Sequence, residues 1–127
     1  EIGRLDHVAI RVKDLNASSA WYENVLGLKK KQVPEWGDFP LFMLSGKTAV
    51  ALFPSAAGEQ KIKSTIDHFA FHVTPENFEK AKQKYTVLGL DFTFQDHHYF
   101  HSIYTQDLDG HTVELTTLVK GKESFYR

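Results

Sequence analysis

The chain has 127 residues, 42% hydrophobic and 24% charged, so it can bury the core of one globular domain and is not a disordered or low-complexity polypeptide. Its net charge of -1 comes without a basic stripe, and it has no cysteine, which argues against nucleic acid as a partner and excludes disulfides and thiolate chemistry. Because no apolar stretch could span a membrane and no signal peptide is evident, we expect a cytoplasmic protein without a membrane partner.

The first half of the chain predicts one helix among four strands. Residues 5–12 are rich in β-branched residues, as expected of a strand, and Asp14 is suited to begin a helix that ends at Gly27. The apolar face of this helix is predicted to contain Ala17, Ala20, Trp21, Val25 and Leu28. Three further strands are predicted over residues 29–33, 40–45 and 48–53.

The second half predicts the same order of elements. A strand over residues 66–73 precedes a helix that begins near Thr74 and Pro75 and ends at Gly89. Its apolar face is predicted to contain Phe78, Ala81, Tyr85 and Leu88. Strands follow over residues 91–95, 99–106 and 111–118, and the Asp109-Gly110 pair favours a tight turn between the last two.

The two halves are also similar in sequence. Asp6–Val12 matches Asp67–Val73 with four identities, including the Asp-His pair, and Val25–Leu28 recurs as Val87–Leu90. A weaker match aligns Thr48–Leu52 with His111–Leu115, which sets Ala51 against Glu114. We therefore predict one α+β domain over residues 1–127, made of module 1 (about 5–53), a linker (54–65), module 2 (about 66–118) and a C-terminal tail (119–127).

The paired β-α-β-β-β modules, the two Asp-His strand openings and the segment Asp107–Leu115 resemble the vicinal-oxygen-chelate superfamily of glyoxalases, bleomycin-resistance proteins and extradiol dioxygenases. The resemblance implies that the modules form a cup of curved mixed sheet. It also implies metal ligands on the first and last strands of each module, here His7, Ala51, His68 and Glu114. Since alanine cannot bind a metal, the implied ligands are His7, His68 and Glu114.

Two histidines and one carboxylate suit one divalent metal ion, Fe²⁺ or Mn²⁺ in the first place and Zn²⁺, Ni²⁺ or Co²⁺ otherwise. A single histidine at the start of a strand is more often a hydrogen-bonded, half-exposed residue than a ligand. Two observations favour the metal site. His7 and His68 occupy equivalent positions in the repeat, and Glu114 has an alanine as its counterpart. An inward carboxylate is costly unless it is paired or metal-bound.

The resemblance leaves several reactions open, all on a small-molecule substrate. Extradiol dioxygenases place a tyrosine ten residues before the ligand glutamate, which is Tyr104 here, with a histidine upstream as the acid–base catalyst. We therefore prefer Fe(II)-dependent cleavage of a catechol-like ring, with Tyr104 and His98 as catalytic residues. An apolar wall could come from Trp36, Phe39, Phe42, Phe53 and Phe94.

The alternatives differ at identifiable positions. Glyoxalase I enzymes have an acidic ligand where this chain has Ala51. Fosfomycin-resistance transferases resemble the chain around Ser102–Tyr104, but they have a threonine and an arginine where this chain has Ala9 and Glu123. Bleomycin-resistance relatives bind a drug without catalysis and commonly lack the metal ligands. In this superfamily the cup closes within one chain or is shared across a two-fold dimer, and we predict a homodimer.

Overall fold

The computed structural model describes residues 2–56 and 66–126. Most of the predicted linker, residues 57–65, lies outside the described residues. The chain divides into two compact units, Glu1–Lys63 and Ser64–Arg127. Each unit is a β-α-β-β-β module with a mixed four-stranded sheet, which confirms the predicted α+β fold class.

The first unit has the strand order β1-β4-β3-β2, in which β1 runs parallel to β4 and the other pairs are antiparallel. A 3₁₀ turn, Pro34–Trp36, lies between its second and third strands. Its elements are β1 His7–Val12, α1 Leu15–Leu26, β2 Lys29–Gln32, β3 Leu41–Ser45 and β4 Thr48–Pro54.

The second unit repeats this topology, with the strand order β5-β8-β7-β6 and a parallel pair of β5 and β8. A 3₁₀ turn, Glu123–Tyr126, follows the last strand. Its elements are β5 His68–His72, α2 Pro75–Leu88, β6 Thr93–Asp96, β7 Phe100–Gln106 and β8 Thr112–Leu118.

The helices begin and end where the sequence predicts. The Asp14 carboxylate accepts a hydrogen bond from the Ala17 amide at 2.9 Å, and the Thr74 hydroxyl accepts one from the Asn77 amide at 3.2 Å. These side chains satisfy amides that have no partner inside the helix. Gly27 and Gly89 end the two helices with φ of 69° and 71°, a left-handed conformation that glycine adopts at little cost.

The inward face of α1 differs from the prediction. Ser18 and Ser19 are buried together with Trp21, Tyr22 and Val25, whereas Ala17 and Ala20 are exposed. The stripe is therefore rotated relative to the predicted one, and the serine hydroxyls lie inside it; that of Ser19 donates to the Met43 sulfur at 3.5 Å. In α2 the prediction is correct for Phe78 and Tyr85, but Leu88 is exposed.

The connection between β7 and β8 is a tight turn at the predicted place. The buried Asp107 carboxylate accepts hydrogen bonds from the amides of Asp109 and His111, both at 2.9 Å, and Gly110 has a φ of 85°. This turn holds the antiparallel register in which Tyr104 lies opposite Glu114. Among the helices described, none is long and apolar enough to cross a membrane.

Candidate functional site

Strand pairing in the second unit brings His68 and Glu114 together. Ala70 on β5 lies opposite Glu114 on β8, and because side chains alternate between the two faces of a strand, His68, Ala70 and Glu114 share one face of the sheet. The small Ala70 side chain leaves space beside the carboxylate. His68 Nε2 consequently lies 3.0 Å from Glu114 Oε1.

The Glu114 carboxylate is held in place by its second oxygen. Its Oε2 accepts a hydrogen bond of 2.6 Å from the fully buried Ser102 hydroxyl, which also lies 3.0 Å from the Thr116 hydroxyl. Glu114 is only 7% exposed. A carboxylate in such surroundings is costly without charged or hydrogen-bonded partners, and here Ser102 and His68 are its partners.

The His68 ring is oriented by the preceding residue. Its Nδ1 lies 2.6 Å from Asp67 Oδ2, so the Asp67 carboxylate stabilises a proton on Nδ1 and directs Nε2 towards Glu114. A histidine with Nδ1–H paired to a carboxylate is the common arrangement around metal-bound imidazole, where the second nitrogen keeps its lone pair for the metal. The donor set of Nε2 and a carboxylate oxygen is therefore suited to a divalent metal.

His7 in the first unit has the same local geometry. Its Nδ1 lies 2.9 Å from Asp6 Oδ2, and its ring centroid lies 5.1 Å from that of Phe42. The Asp-His pair found twice in the sequence is thus a repeated device for orienting an imidazole. The role of the aspartates is a feature that the sequence analysis missed, although the repeated dipeptide itself was the signal.

The structure assembles two of the three predicted ligands within one unit. Across residues 2–56 and 66–126, no group of three or more His, Cys, Asp or Glu side chains is arranged to hold a metal ion. His68 and Glu114 meet in the second unit, and His7 belongs to the first. The complete ligand set of His7, His68 and Glu114 stays a prediction.

Tyr104 lies on the same sheet face, opposite Glu114 on the neighbouring strand. Burial raises the pKa of Tyr104 above its ordinary value, and the charge of Glu114 raises this pKa further, so the phenol keeps its proton at neutral pH. Its ring centroid lies 5.6 Å from that of His68, and its hydroxyl lies 2.9 Å from His97 Nε2. Tyr104 can therefore offer a hydrogen bond beside the His68–Glu114 pair.

Of the adjacent histidines His97 and His98, it is His97 whose ring nitrogen lies against the Tyr104 hydroxyl, whereas the predicted catalytic residue is His98. His98 would share the face of Tyr104 if the strand were regular, but β6 ends at Asp96 and the chain turns back before β7 begins at Phe100. His98 has a φ of 69° in this turn, and its amide donates to Asp96 Oδ1 at 2.9 Å. The histidines in contact with Tyr104 are thus His97 and His68, and a catalytic role for His98 stays a prediction.

The predicted apolar wall is present in part. In the first unit the ring centroids of Trp36 and Phe42 are 5.4 Å apart, and those of Phe39 and Phe53 are 6.3 Å apart. Phe94 does not belong with them, because its ring contacts Phe78 of α2 at 6.3 Å, on the helix side of the second sheet.

A cavity of about 830 Å³ in the second unit borders His68 and Tyr104. This volume is within the usual range for sites that bind small molecules. Its other lining residues are mostly polar and include Asp67, Gln95, Gln106 and residues 89–93. His68 and Tyr104 are therefore accessible to a small molecule from this side.

Comparison with known proteins adds independent information. A family model described as the Glyoxalase/Bleomycin resistance protein/Dioxygenase superfamily matches residues 4–115. The chain is 30% identical to metallothiol transferase FosB of Lysinibacillus sphaericus over 116 residues, which cover 89% of this chain and 81% of that protein. It is 29% identical to glutathione transferase FosA of Serratia marcescens over 113 residues, which cover 87% of this chain and 78% of that protein.

Among solved structures, one similar fold is a variant of the fosfomycin resistance protein FosX of Listeria monocytogenes complexed with Mn(II) and 1S,2S-dihydroxypropylphosphonic acid. The TM-score is 0.76 at 22% identity, with 97% of this chain and 98% of that chain covered. At this identity the match supports the fold alone, in agreement with the strand order described above.

Proposed function

Because this chain belongs to the Glyoxalase/Bleomycin resistance protein/Dioxygenase superfamily, we propose that it is a divalent-metal-dependent enzyme that activates a small-molecule substrate without redox chemistry. The reaction type proposed is addition of a thiol or water to an epoxide-like substrate, as in the fosfomycin-resistance alternative. Two relatives that match over most of the chain are named transferases, which favours this alternative over the ring-cleaving dioxygenase preferred from the sequence.

The observation that carries the proposal is the His68–Glu114 pair. A histidine nitrogen and a buried carboxylate oxygen lie 3.0 Å apart, and each group is fixed by a further partner, Asp67 or Ser102. A purely structural ion pair is the alternative, but an ion pair with one partly exposed member adds little stability. A preorganised donor pair beside an open cavity is better explained by metal binding.

We propose His7, His68 and Glu114 as the metal ligands, with His7 oriented by Asp6 in the same way as His68 by Asp67. A bound divalent cation supplies Lewis acidity, which polarises a substrate oxygen and favours nucleophilic addition. The protonated Tyr104 hydroxyl donates a hydrogen bond to the substrate, and His97 holds the hydroxyl in position. Mn²⁺, bound in the FosX structure, is the first metal to test.

The identity of the substrate is a separate question from the reaction type. Fosfomycin-resistance transferases have a threonine and an arginine where this chain has Ala9 and Glu123. These two differences remove one hydroxyl and replace a cation by an anion. We therefore propose the reaction type of these relatives and a different substrate. We also keep the single domain over residues 1–127 and the homodimer as predictions.

Metal binding tests the proposal most directly. Protein loaded with Mn²⁺ should retain about one equivalent per chain after gel filtration, and His68→Ala should lose it. His101→Ala is a matched control, since the His101 side chain is 40% exposed against 36% for His68 and also faces an aspartate, at 3.7 Å. Wild-type protein that retains no divalent metal, or His68→Ala that retains it fully, would overturn the proposal.

Activity assays separate the reaction types. The metal-loaded enzyme should accelerate the Mn²⁺-dependent addition of a thiol or water to members of an epoxide panel, with fosfomycin included as a reference compound. It should consume no oxygen with a panel of catechols. Oxygen consumption that depends on Fe²⁺ would restore the dioxygenase, and metal binding without turnover of either panel would favour a non-enzymatic binding protein.

A further inference from the structure

The first unit carries a row of aromatic rings that ends at a proposed metal ligand. The ring centroid of Trp36 lies 5.4 Å from that of Phe42, and the Phe42 centroid lies 5.1 Å from that of His7. Phe42 and His7 come from strands on either side of β4, and Trp36 comes from the 3₁₀ turn before β3. Side chains from three separate elements thus form one continuous ring surface.

This ring row, Trp36–Phe42–His7, is not part of the apolar core. The core of this unit lies between the sheet and α1 and includes Ile10, Val12, Tyr22 and Met43. Phe42 pairs with Ala51, which pairs in turn with Ala9, so the row lies on the opposite face of the sheet from Ile10 and Val12. Trp36 remains 49% exposed there.

Aromatic surface that stays exposed to water costs free energy, and the fold itself does not require it. In the same unit Phe39, 45% exposed, packs against Phe53, which lies on the same face of β4 as Ala51. Contiguous exposed apolar surface marks binding sites more often than isolated exposed residues do. The surface lies next to the imidazole that we propose as a metal ligand, so a molecule bound to the metal through His7 meets the Phe42 ring directly.

We infer that the substrate has a flat apolar group, such as an aromatic ring, on the carbon that carries one of its metal-binding oxygens, and that Trp36 and Phe42 bind this group. The inference rests on the proposed function, because it needs a metal held by His7. The ring row would then set the specificity of the site. A chelating compound that carries an aromatic ring should bind more tightly than the same compound with a methyl group in place of the ring.

Benzohydroxamic and acetohydroxamic acids test this inference, because both bind a metal through two neighbouring oxygens and differ only in phenyl against methyl. Their affinities for the Mn²⁺-loaded protein are measured by calorimetry, and the ratio is compared with that for free Mn²⁺. Stacking against one or two rings should favour the phenyl compound about tenfold beyond the free-metal ratio. Trp36→Ala should reduce this preference to about threefold or less.

Phe125→Ala is the matched control, since Phe125 is 47% exposed and lies in the second unit against Tyr99 and Phe100. This variant should keep the full preference. If both hydroxamates bind and the wild type shows no phenyl preference, or Trp36→Ala keeps it, the inference is overturned while the proposed function stands. If the protein retains no Mn²⁺, the proposed function fails and the inference fails with it.

A second copy of the chain is the other candidate for covering the ring row. Sedimentation velocity of wild type and Trp36→Ala distinguishes this case. The inference expects the same oligomeric state for both proteins. Conversion of a dimer to a monomer by Trp36→Ala would assign the ring row to a subunit contact and overturn the inference.

Discussion

Replacement of Glu114 by glutamine separates metal binding from stability. Glutamine has nearly the same volume, its oxygen can still accept from the Ser102 hydroxyl, and its amide can donate to Nε2 of a His68 that carries its proton on Nδ1. The buried negative charge is lost, but every hydrogen bond of the site keeps a partner. We therefore expect the metal-free variant to unfold within about 1 kcal/mol of wild type.

The effect on metal affinity should be much larger. Removal of a group that only orients a ligand costs about 10- to 100-fold in affinity, so loss of the ligand carboxylate itself should cost at least about 100-fold. Mn²⁺ at about 100 times the wild-type Kd stabilises the fold by about 2.7 kcal/mol. For a chain of this length that is a rise in Tm of about 10 °C, against about 2 °C for Glu114→Gln at the same Mn²⁺ concentration.

The assay is thermal unfolding with and without Mn²⁺, together with a direct Mn²⁺ titration. An equal metal-dependent rise in Tm for both proteins would refute the role of Glu114 as a ligand. A loss of more than about 2 kcal/mol in the metal-free variant would refute the stability argument and identify the cluster of Ser102, Glu114 and His68 as a structural network.

Three further predictions follow from the contacts of single residues. Asp67→Asn should weaken Mn²⁺ binding about 10- to 100-fold, because the His68 ring loses its charged partner. Asp91→Asn also changes a carboxylate that lines the cavity, and it should leave Mn²⁺ affinity unchanged. Mn²⁺ titration of both variants checks this prediction. Tyr104→Phe should shift the NMR signals of the His97 ring and leave those of His98 unchanged, and the reverse pattern would contradict the contact described above. The buried Tyr85 hydroxyl has no hydrogen-bond partner among the described residues, and burial raises its pKa to about 12. The folded protein therefore favours the neutral phenol, so stability is lost as the pH rises from about 10 to 12. In urea unfolding, Tyr85→Phe should be about 1 kcal/mol more stable than wild type at pH 8 and should lose less stability than wild type at pH 11.

Much of the fold could be predicted because its signals are local. Asp14, Thr74 and Pro75 begin helices by hydrogen bonding or fixed φ, and Gly27 and Gly89 end them in a conformation that few other residues adopt. The inward face of α1 could not be predicted as well, since Ala17 and Ser18 are both small and hydropathy alone favours alanine. Tertiary packing placed the serines inside.

The site depends on features that a sequence pattern does not contain. The contact of His68 with Glu114 follows from the register of β5 on β8, which is set by pairing between segments far apart in the chain. The choice of His97 over His98 follows from a turn in which a non-glycine residue has a positive φ, and nothing in the His97-His98 dipeptide indicates it. The His68–Glu114 contact thus depends on long-range strand pairing, and the contact of His97 with Tyr104 depends on the backbone conformation of a turn.

The two units show how one scaffold can supply two kinds of surface. At corresponding positions of the repeat, Ala9, Ala51 and Phe42 lie side by side in the first sheet, and Ala70, Glu114 and Tyr104 lie side by side in the second. The backbone pairing is the same in both units.

Only the side chains on two of the three strands differ, from alanine to glutamate and from phenylalanine to tyrosine. The second unit thereby has a carboxylate and a hydroxyl on this face, while the first has an apolar surface. The Asp-His pair is present in both units, so the first unit has an imidazole oriented by an aspartate but no counterpart of Glu114. This combination agrees with the proposal that His7 contributes one metal ligand beside an apolar surface.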